Sequence, residues 1–383
     1  MPPLEAAVAA LDVDAMLANA KRWCAINSFT ANIAGVNAVG ALLVEAFDGL
    51  GLEHRAIPGG EQGDHHVWTT GAPGPRILLV GHHDTVFPPG HFETWVEDDG
   101  KITAPGILDM KGGLAIVRGV LGALHHAGAL GAIPLAVISV GDEEIGSPSS
   151  TPHLQALAEG ARAALVFESG RANDAIITRR KGVGAMTVTA HGKAAHAGNN
   201  HKDGGNAIWA LSRFVDLAQH LTDYERGLTV NVGTFTGGTS KNTVPEQARC
   251  ELDLRYETVA DAEHLVRELH TAAAQASMAV PNATLEITGG IRRLPLEQTD
   301  ASRALMLRYA KHATAVGLGA PEAALLGGGS DANTIGPLGV PCIDGLGPRG
   351  AGFHTPHEHV EVATFRPKAE ALLRLLLDLA ETD

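Results

Sequence analysis

Three short apolar runs limit what this 383-residue chain can fold into. RILLV from Arg76 to Val80, PLAVISV from Pro134 and ARAALVF from Ala161 show no polar alternation, so each reads as a strand buried on both faces. Between the first two lies a stretch from Gly112 to Ala127 with apolar residues at helical spacing. Strands alternating with helices predict an α/β domain: a mostly parallel sheet with helices on both faces, presenting its functional loops at the carboxyl ends of the strands.

From about Gly182 to Gly290 the pattern changes. The strand AMTVTAH, a helix from Gly204 to His220, strands LTVNVGTF and ARCELDLRY, a helix from Ala260 to Ala276 and strand TLEIT follow in the order βαββαβ. That order is the split βαβ of a ferredoxin-like α+β unit, which can close on its own. From Arg292 long helices return, ending in the amphipathic AEALLRLLLDLAE from Ala369. The expected organisation is one α/β domain over residues 1–181 and 291–383, interrupted by an inserted domain over 182–290.

Lys and Arg total 29 against 43 Asp and Glu, and the net charge of -14 argues against a nucleic-acid backbone or an anionic membrane as partner. No apolar run approaches membrane-spanning length. The Ala-rich beginning is interrupted by Glu5, Asp12 and Asp14 with no basic segment before it, and so fails as a secretory signal. Cys24, Cys250 and Cys342 are odd in number and far apart, which predicts buried thiols and a reducing cytoplasm. Histidine is the outlier at 19, mostly in loops beside Gly or Asp, and points to a metal or proton-transfer site.

Directly after the first buried strand comes GHHDTV, with His82 and Asp84 at the strand end. A carboxylate two residues from an imidazole can accept its second N–H and fix its tautomer for metal binding. His83 has no assigned role. In PGILDMKGG, Asp109 precedes a Gly pair that opens a helix; it can cap that helix or bridge two cations. GDEEIGS follows the second strand with Asp142, Glu143 and Glu144 in a row, an arrangement whose repulsion a cation would relieve. One of these acids can ligate while its neighbour serves as general base. Glu168 in VFESG ends the third strand, and His354 lies in the Gly- and Pro-rich loop GFHTPHEH beside His357 and His359. Imidazole and carboxylate ligands without thiolate suit zinc, with cobalt or manganese as substitutes, and a bridging Asp places two metals about 3.5–4 Å apart.

Taken together, GHHDTV, GILDMKGG, GDEEIGS, FES, GKAAHAG, GGGSDAN and the late His354 resemble the co-catalytic zinc aminoacylase and carboxypeptidase family, from about residue 76 to the C-terminus. That family includes the folate-cleaving glutamate carboxypeptidase, acetylornithine deacetylase and succinyl-diaminopimelate desuccinylase. The resemblance implies a catalytic α/β domain with an inserted lid and dimerisation domain, and two zinc ions per subunit. It pairs Glu144 with His354 on one zinc and His82 with Glu168 on the other, with Asp109 bridging. Asp84 would orient His82, and Glu143 would be the general base. A cis peptide is implied between Asp109 and Met110. His196 in GKAAHAG resembles the family histidine that reaches a partner subunit's site to stabilise the oxyanion, which implies a homodimer.

Asn242 in SKNTVP, Arg255 in LDLRY and Arg293 in IRRLP match the family's contacts to the substrate carboxylate, and an Arg fork suits such a group. Arg292 is an alternative to Arg293, and Arg255 reads equally well as a strand residue in an ion pair. Glu168, where the di- and tripeptidase branch shows Asp, favours the carboxypeptidase and deacylase branch. The expected activity is cleavage of an amide bond next to a free carboxylate, in a peptide or N-acyl amino acid. The alternatives are an aminopeptidase or dipeptidase of the same family, and a zinc-binding protein without turnover. Retention of Glu143 disfavours the last, since binding needs no base.

Overall fold

The computed structural model describes residues 3–381. The chain divides into two compact units: Met1–Arg179 with Gln298–Leu325 and Ser330–Asp383, and Arg180–Glu297 with Leu326–Gly329. The first unit begins with α1 (Pro3–Ala9), α2 (Val13–Cys24), α3 (Ile33–Phe47), β1 (Glu53–Ile57), β2 (His65–Thr69), β3 (Ile77–His82), β4 (Val96–Asp98) and β5 (Lys101–Thr103). It continues through α4 (Gly112–His126), β6 (Leu135–Val140), α5 (Thr151–Ala158) and β7 (Ala163–Val166). The second unit supplies β8 (Gly182–His191), β9 (Ala195–His196), α6 (Ala207–Gln219), β10 (Thr229–Gly237), β11 (Thr243–Val244), β12 (Gln247–Tyr256), α7 (Val259–Ala279) and β13 (Thr284–Arg293). The chain returns to the first through α8 (Asp300–Ala315), α9 (Ala332–Ile335), β14 (Cys342–Ile343), β15 (Gly350–Ala351), β16 (His359–Glu361) and α10 (Phe365–Ala380).

The central sheet has the order β1-β2-β6-β3-β7-β14. β3 pairs in parallel with β6 and β7, and β14 extends that block beside β7. Burial explains why the three central strands read alike. Ile77, Leu79, Leu135, Val137, Ala163 and Leu165 join residues of α2, α4 and α10 in one apolar core, while Leu78, Val80, Ala136, Ile138, Ala164 and Val166 are equally buried on the opposite face. Each Leu or Ile so enclosed contributes about 1.5–3 kcal/mol, so a polar residue at any of these places is excluded. The antiparallel pair β1–β2, which joins the sheet at β6, has no such sequence signature: β1 is exposed at Glu53 to Ala56, and β2 opens with His65 and His66.

Those histidines account for part of the histidine surplus. His66 Nδ1 lies 3.1 Å from His54 Nε2, His83 Nδ1 lies 2.9 Å from Ser139 Oγ, and His65 Nδ1 accepts from Gly141 N at 3.1 Å. Burial, reinforced by His54, lowers the pKa of His66 to about 4, and burial likewise lowers His65 and His83. At these three histidines the folded state refuses protons that the unfolded chain accepts below pH about 6.5, so their contribution to stability is full above that pH and is lost as pH falls towards 4. His66 alone accounts for at most about 3 kcal/mol over that window. Urea midpoints at pH 7 and 5 should differ markedly for the wild type, and by less for His66→Gln. Equal midpoints in the wild type would contradict the account.

The sheet of the second unit has the order β10-β12-β8-β13 with every pairing antiparallel, which is the strand order of a ferredoxin-like fold. β8 and β12 alternate buried with more exposed residues, and Met186, Val188, Leu252 and Leu254 pack against Leu211 and Phe214 of α6 and Leu269 of α7. α6 starts at Ala207 and not at Gly204 because the Asn206 side chain accepts from Trp209 N and caps it there. A two-residue ladder joins β9 to β11, too short to leave a periodic signal.

Candidate metal centre

The expected ligands of the first unit converge. His82 closes β3, Glu143 and Glu144 form a short 3-10 turn after β6, and Glu168 follows β7, so all stand at the carboxyl ends of parallel strands. Asp109 lies in the turn Ile107–Lys111 that leads into α4. His354 sits between β15 and β16 with a left-handed φ of 63°. His82 Nε2 is 3.3 Å from Asp109 Oδ1 and 3.7 Å from Glu168 Oε1. His354 Nε2 is 3.2 Å from Asp109 Oδ2 and 3.2 Å from Glu144 Oε2. Asp109 thus offers one oxygen to each of two imidazole–carboxylate pairs. Ligand atoms of His82, Asp109 and Glu144, and of His82, Glu143 and Glu168, lie within 4.8 Å of one another.

This donor set fits two divalent cations. Burial, then the Asp109 charge, raises the carboxyls of Glu144 and Glu168, most strongly Glu168, a repulsion that bound positive charge relieves. Burial alone would raise Asp109 too, but hydrogen bonds from His354 and His82 outweigh it and hold this carboxyl below its ordinary value. Burial disfavours a charged His82, yet Asp109 and Asp84 overcome it and keep the pKa well above the usual histidine value. His354, hydrogen-bonded to Asp109 and Glu144, is raised to about 10. Anionic oxygens outnumber imidazoles, and hard oxygen with imidazole nitrogen is the ligand chemistry of zinc, cobalt or manganese.

Asp84 does more than steer an imidazole. His82 Nδ1 lies 3.1 Å from the Asp84 carbonyl oxygen and 3.4 Å from the carboxylate, which keeps an N–H on Nδ1 and turns Nε2 towards Asp109. The carboxylate accepts from the backbone amides of Glu143 and Glu144, both at 3.2 Å, and from Thr30 Oγ1 at 2.7 Å. Asp142, first of the three acids, accepts from the amides and hydroxyls of Ser149 and Ser150 and so shapes the loop. The GGGSDAN motif supports the same loop: Asp331 accepts from Ser147 Oγ. In DMKGG, a Cβ on Gly113 would lie 2.3 Å from Phe167 O, so only glycine lets α4 start against the strand end that carries Glu168. Lys111 Nζ donates to Trp23 O at 3.1 Å behind α2. The Asp109–Met110 peptide is cis, as the resemblance implies. Of the three histidines in GFHTPHEH, His354 is the one that reaches the acids; His359 Nδ1 lies 2.9 Å from His357 O.

Sequence reading missed Glu358, which is fully buried and accepts from the amides of Leu108 and Asp109. Flanked by His357 and His359 in a polar loop, it gives no periodic or motif signal.

The remaining candidates belong to the second unit. His196 on β9 pairs with Thr243 on β11, and Ala197 N donates to Asn242 O at 3.0 Å, so His196 and Asn242 are neighbours. His196 Nδ1 accepts from the amides of Gly198 and Asn199, both at 3.1 Å, which puts the ring proton on the exposed Nε2. Arg255 is in the ion pair foreseen as its alternative, bidentate to Asp253 at 2.8 and 2.9 Å. Arg293 is buried at the end of β13 and Arg292 is exposed.

The chain is similar to known proteins over most of its length. The model of peptidase family M20/M25/M40 matches residues 78–378. Carboxypeptidase G2 of Pseudomonas sp. (strain RS-16) is 29% identical over 365 residues, covering 92% of this chain and 86% of that protein. A succinyl-diaminopimelate desuccinylase of Xanthomonas oryzae pv. oryzae is 30% identical over 347 residues, covering 82% and 86%. The fold matches that of an aminopeptidase PepT from Bacillus cereus with a TM-score of 0.78 at 22% identity, over 97% of this chain and 100% of the other.

Proposed function

The chain belongs to peptidase family M20/M25/M40, and on that premise we propose that it is a di-zinc hydrolase cleaving an amide bond next to a free carboxylate, as a glutamate-carboxypeptidase-like peptidase or an N-acyl-amino-acid deacylase. Family membership makes it a metal-dependent hydrolase of amide bonds. The observation that carries the finer reading is the placement of Asp109, one oxygen towards His82 and Glu168, the other towards His354 and Glu144. We assign His82 with Glu168 to one zinc, Glu144 with His354 to the other, and Asp109 to both. Bound there, the metals supply Lewis-acid polarisation of the scissile carbonyl and acidify the attacking water. Glu143 takes the water proton and delivers it to the amine as the C–N bond breaks. Asp84 holds the imidazole of His82 and the backbone of Glu143 in register.

His196 acts as a hydrogen-bond donor to the oxyanion through Nε2, and it does so in a partner subunit. In support of a homodimer, β10 is an edge strand exposed from Gly233 onward, with Phe235 42% and Trp209 of α6 50% exposed. A mass in solution of one chain would refute the in-trans role. Cys24, Cys250 and Cys342, all buried and outside any disulfide, support a reducing, cytoplasmic setting. Among the described residues no helix is long and apolar enough to cross a membrane.

We assign recognition of the substrate carboxylate to Asn242 and Arg293, as the resemblance implies; Arg255 is held bidentate by Asp253. Converting that carboxylate to an amide should lower kcat/KM about 100-fold or more, since a buried guanidinium is penalised when it faces a neutral group. Arg293→Ala should erase most of this preference by raising KM for the acid. Equal turnover of acid and amide by the wild type would reject the carboxypeptidase reading and favour an aminopeptidase.

A further inference from the structure

The turn that carries Asp109 is only partly held by its own backbone. Asp109 and Met110 depart from helical φ/ψ inside Ile107–Lys111; Lys111 N and Gly112 N close the turn on Gly106 O and Ile107 O, whereas the amides of Leu108 and Asp109 bond to a side chain. Glu358 receives them: its Oε1 accepts from Leu108 N at 2.8 Å and from Asp109 N at 3.1 Å. The side chain is 0% exposed, so water does not compete for those amides.

Glu358 is itself fixed from both sides. Its amide donates to Thr355 O at 3.0 Å, Thr355 N donates to Gly352 O at 3.1 Å, and the next residue, His359, starts β16 in register with Thr103 of β5. The loop closed in this way presents His354. One carboxylate therefore ties the segment bearing His354 to the turn bearing Asp109, whose side chains meet at 3.2 Å. We propose that Glu358 is a positioning residue of the metal centre, setting the height of Asp109 so that its two oxygens serve both cations at once. This inference rests on the metal-centre reading given above.

The test is a cobalt titration of the chelator-stripped full-length chain, followed by the visible spectrum of the ion and by calorimetry, with kcat measured alongside. Glu358→Ala should weaken cobalt affinity about 10- to 100-fold and alter the spectrum, as expected when a partner that orients a ligand is lost. Glu358→Gln keeps an oxygen acceptor at the same reach and should bind within about threefold of the wild type, a rescue that the same principle demands. Should Glu358→Ala fail to fold, Glu358→Asp, whose carboxylate is withdrawn by one methylene, should show the same weakening. Wild-type affinity and spectrum in the Ala or Asp variant would overturn the proposal, as would a Gln variant no better than Ala. A wild-type chain that takes up no cobalt overturns the metal-centre reading and this inference with it, whereas wild-type uptake with an unchanged Ala variant overturns this inference alone.

Discussion

Glu143→Gln should lower kcat by about two to four orders of magnitude while the chain still takes up metal as the wild type does. The two adjacent acids have their backbone amides on the same Asp84 carboxylate, so replacing one side chain leaves the local fold intact. Their side chains then diverge in role. Glu144 Oε2 meets His354 Nε2 at 3.2 Å, as the proposed ligand set requires, whereas Glu143 has an oxygen in reach of His82 and Glu168. A Gln there keeps shape and hydrogen bonding but cannot accept the water proton. Steady-state kinetics combined with metal analysis separates the roles, and loss of metal together with activity in this variant would contradict them.

How far the site can be read from sequence follows from where its information is local. His82, the acids after β6 and Glu168 each follow a run of apolar residues buried on both faces, and such runs are unmistakable because they show no polar alternation, Ser139 near the end of β6 being the single polar residue within them. Strand ends, and hence the candidate ligands, come with them. The surrounding supports are not local. Asp84 reaches Glu143 across 59 positions, Asp331 reaches Ser147 across 184, and Glu358 reaches Leu108 across 250, each through a single hydrogen bond that no periodicity reports. Arg255 shows the opposite case. Its partner Asp253 is two residues away on the same face of β12, so the ion pair was legible in LDLRY but weighed no more than a substrate contact. Histidine content misled in part, because His54, His65, His66 and His83 serve the β1–β2 pair and its neighbours instead of the site.

Asp109→Ala should abolish metal uptake and activity together, a larger effect than removal of any other single ligand. Among the other acids, Glu168 lies 3.7 Å from His82, and Glu144 meets His354 at 3.2 Å but comes only within 4.8 Å of His82. Asp109 approaches both imidazoles closely, one through each oxygen, at 3.3 and 3.2 Å. Without it the two pairs lose their common oxygen donor, and each is left with one imidazole and one carboxylate, too few protein ligands for a cation that prefers three or four. The variant should therefore contain little metal after purification and stay inactive at zinc concentrations that fully restore chelator-treated wild type. Wild-type activity should vanish on chelation and return on adding zinc, cobalt or manganese, because ligand binding and metal loss are reversible where the fold survives. Tm should rise with added metal in the wild type and remain flat in Asp109→Ala, since only a chain that binds the ion gains its linkage free energy. Activity that persists through exhaustive chelation, or a metal-dependent Tm in the variant, would sink the assignment of Asp109 as the shared ligand.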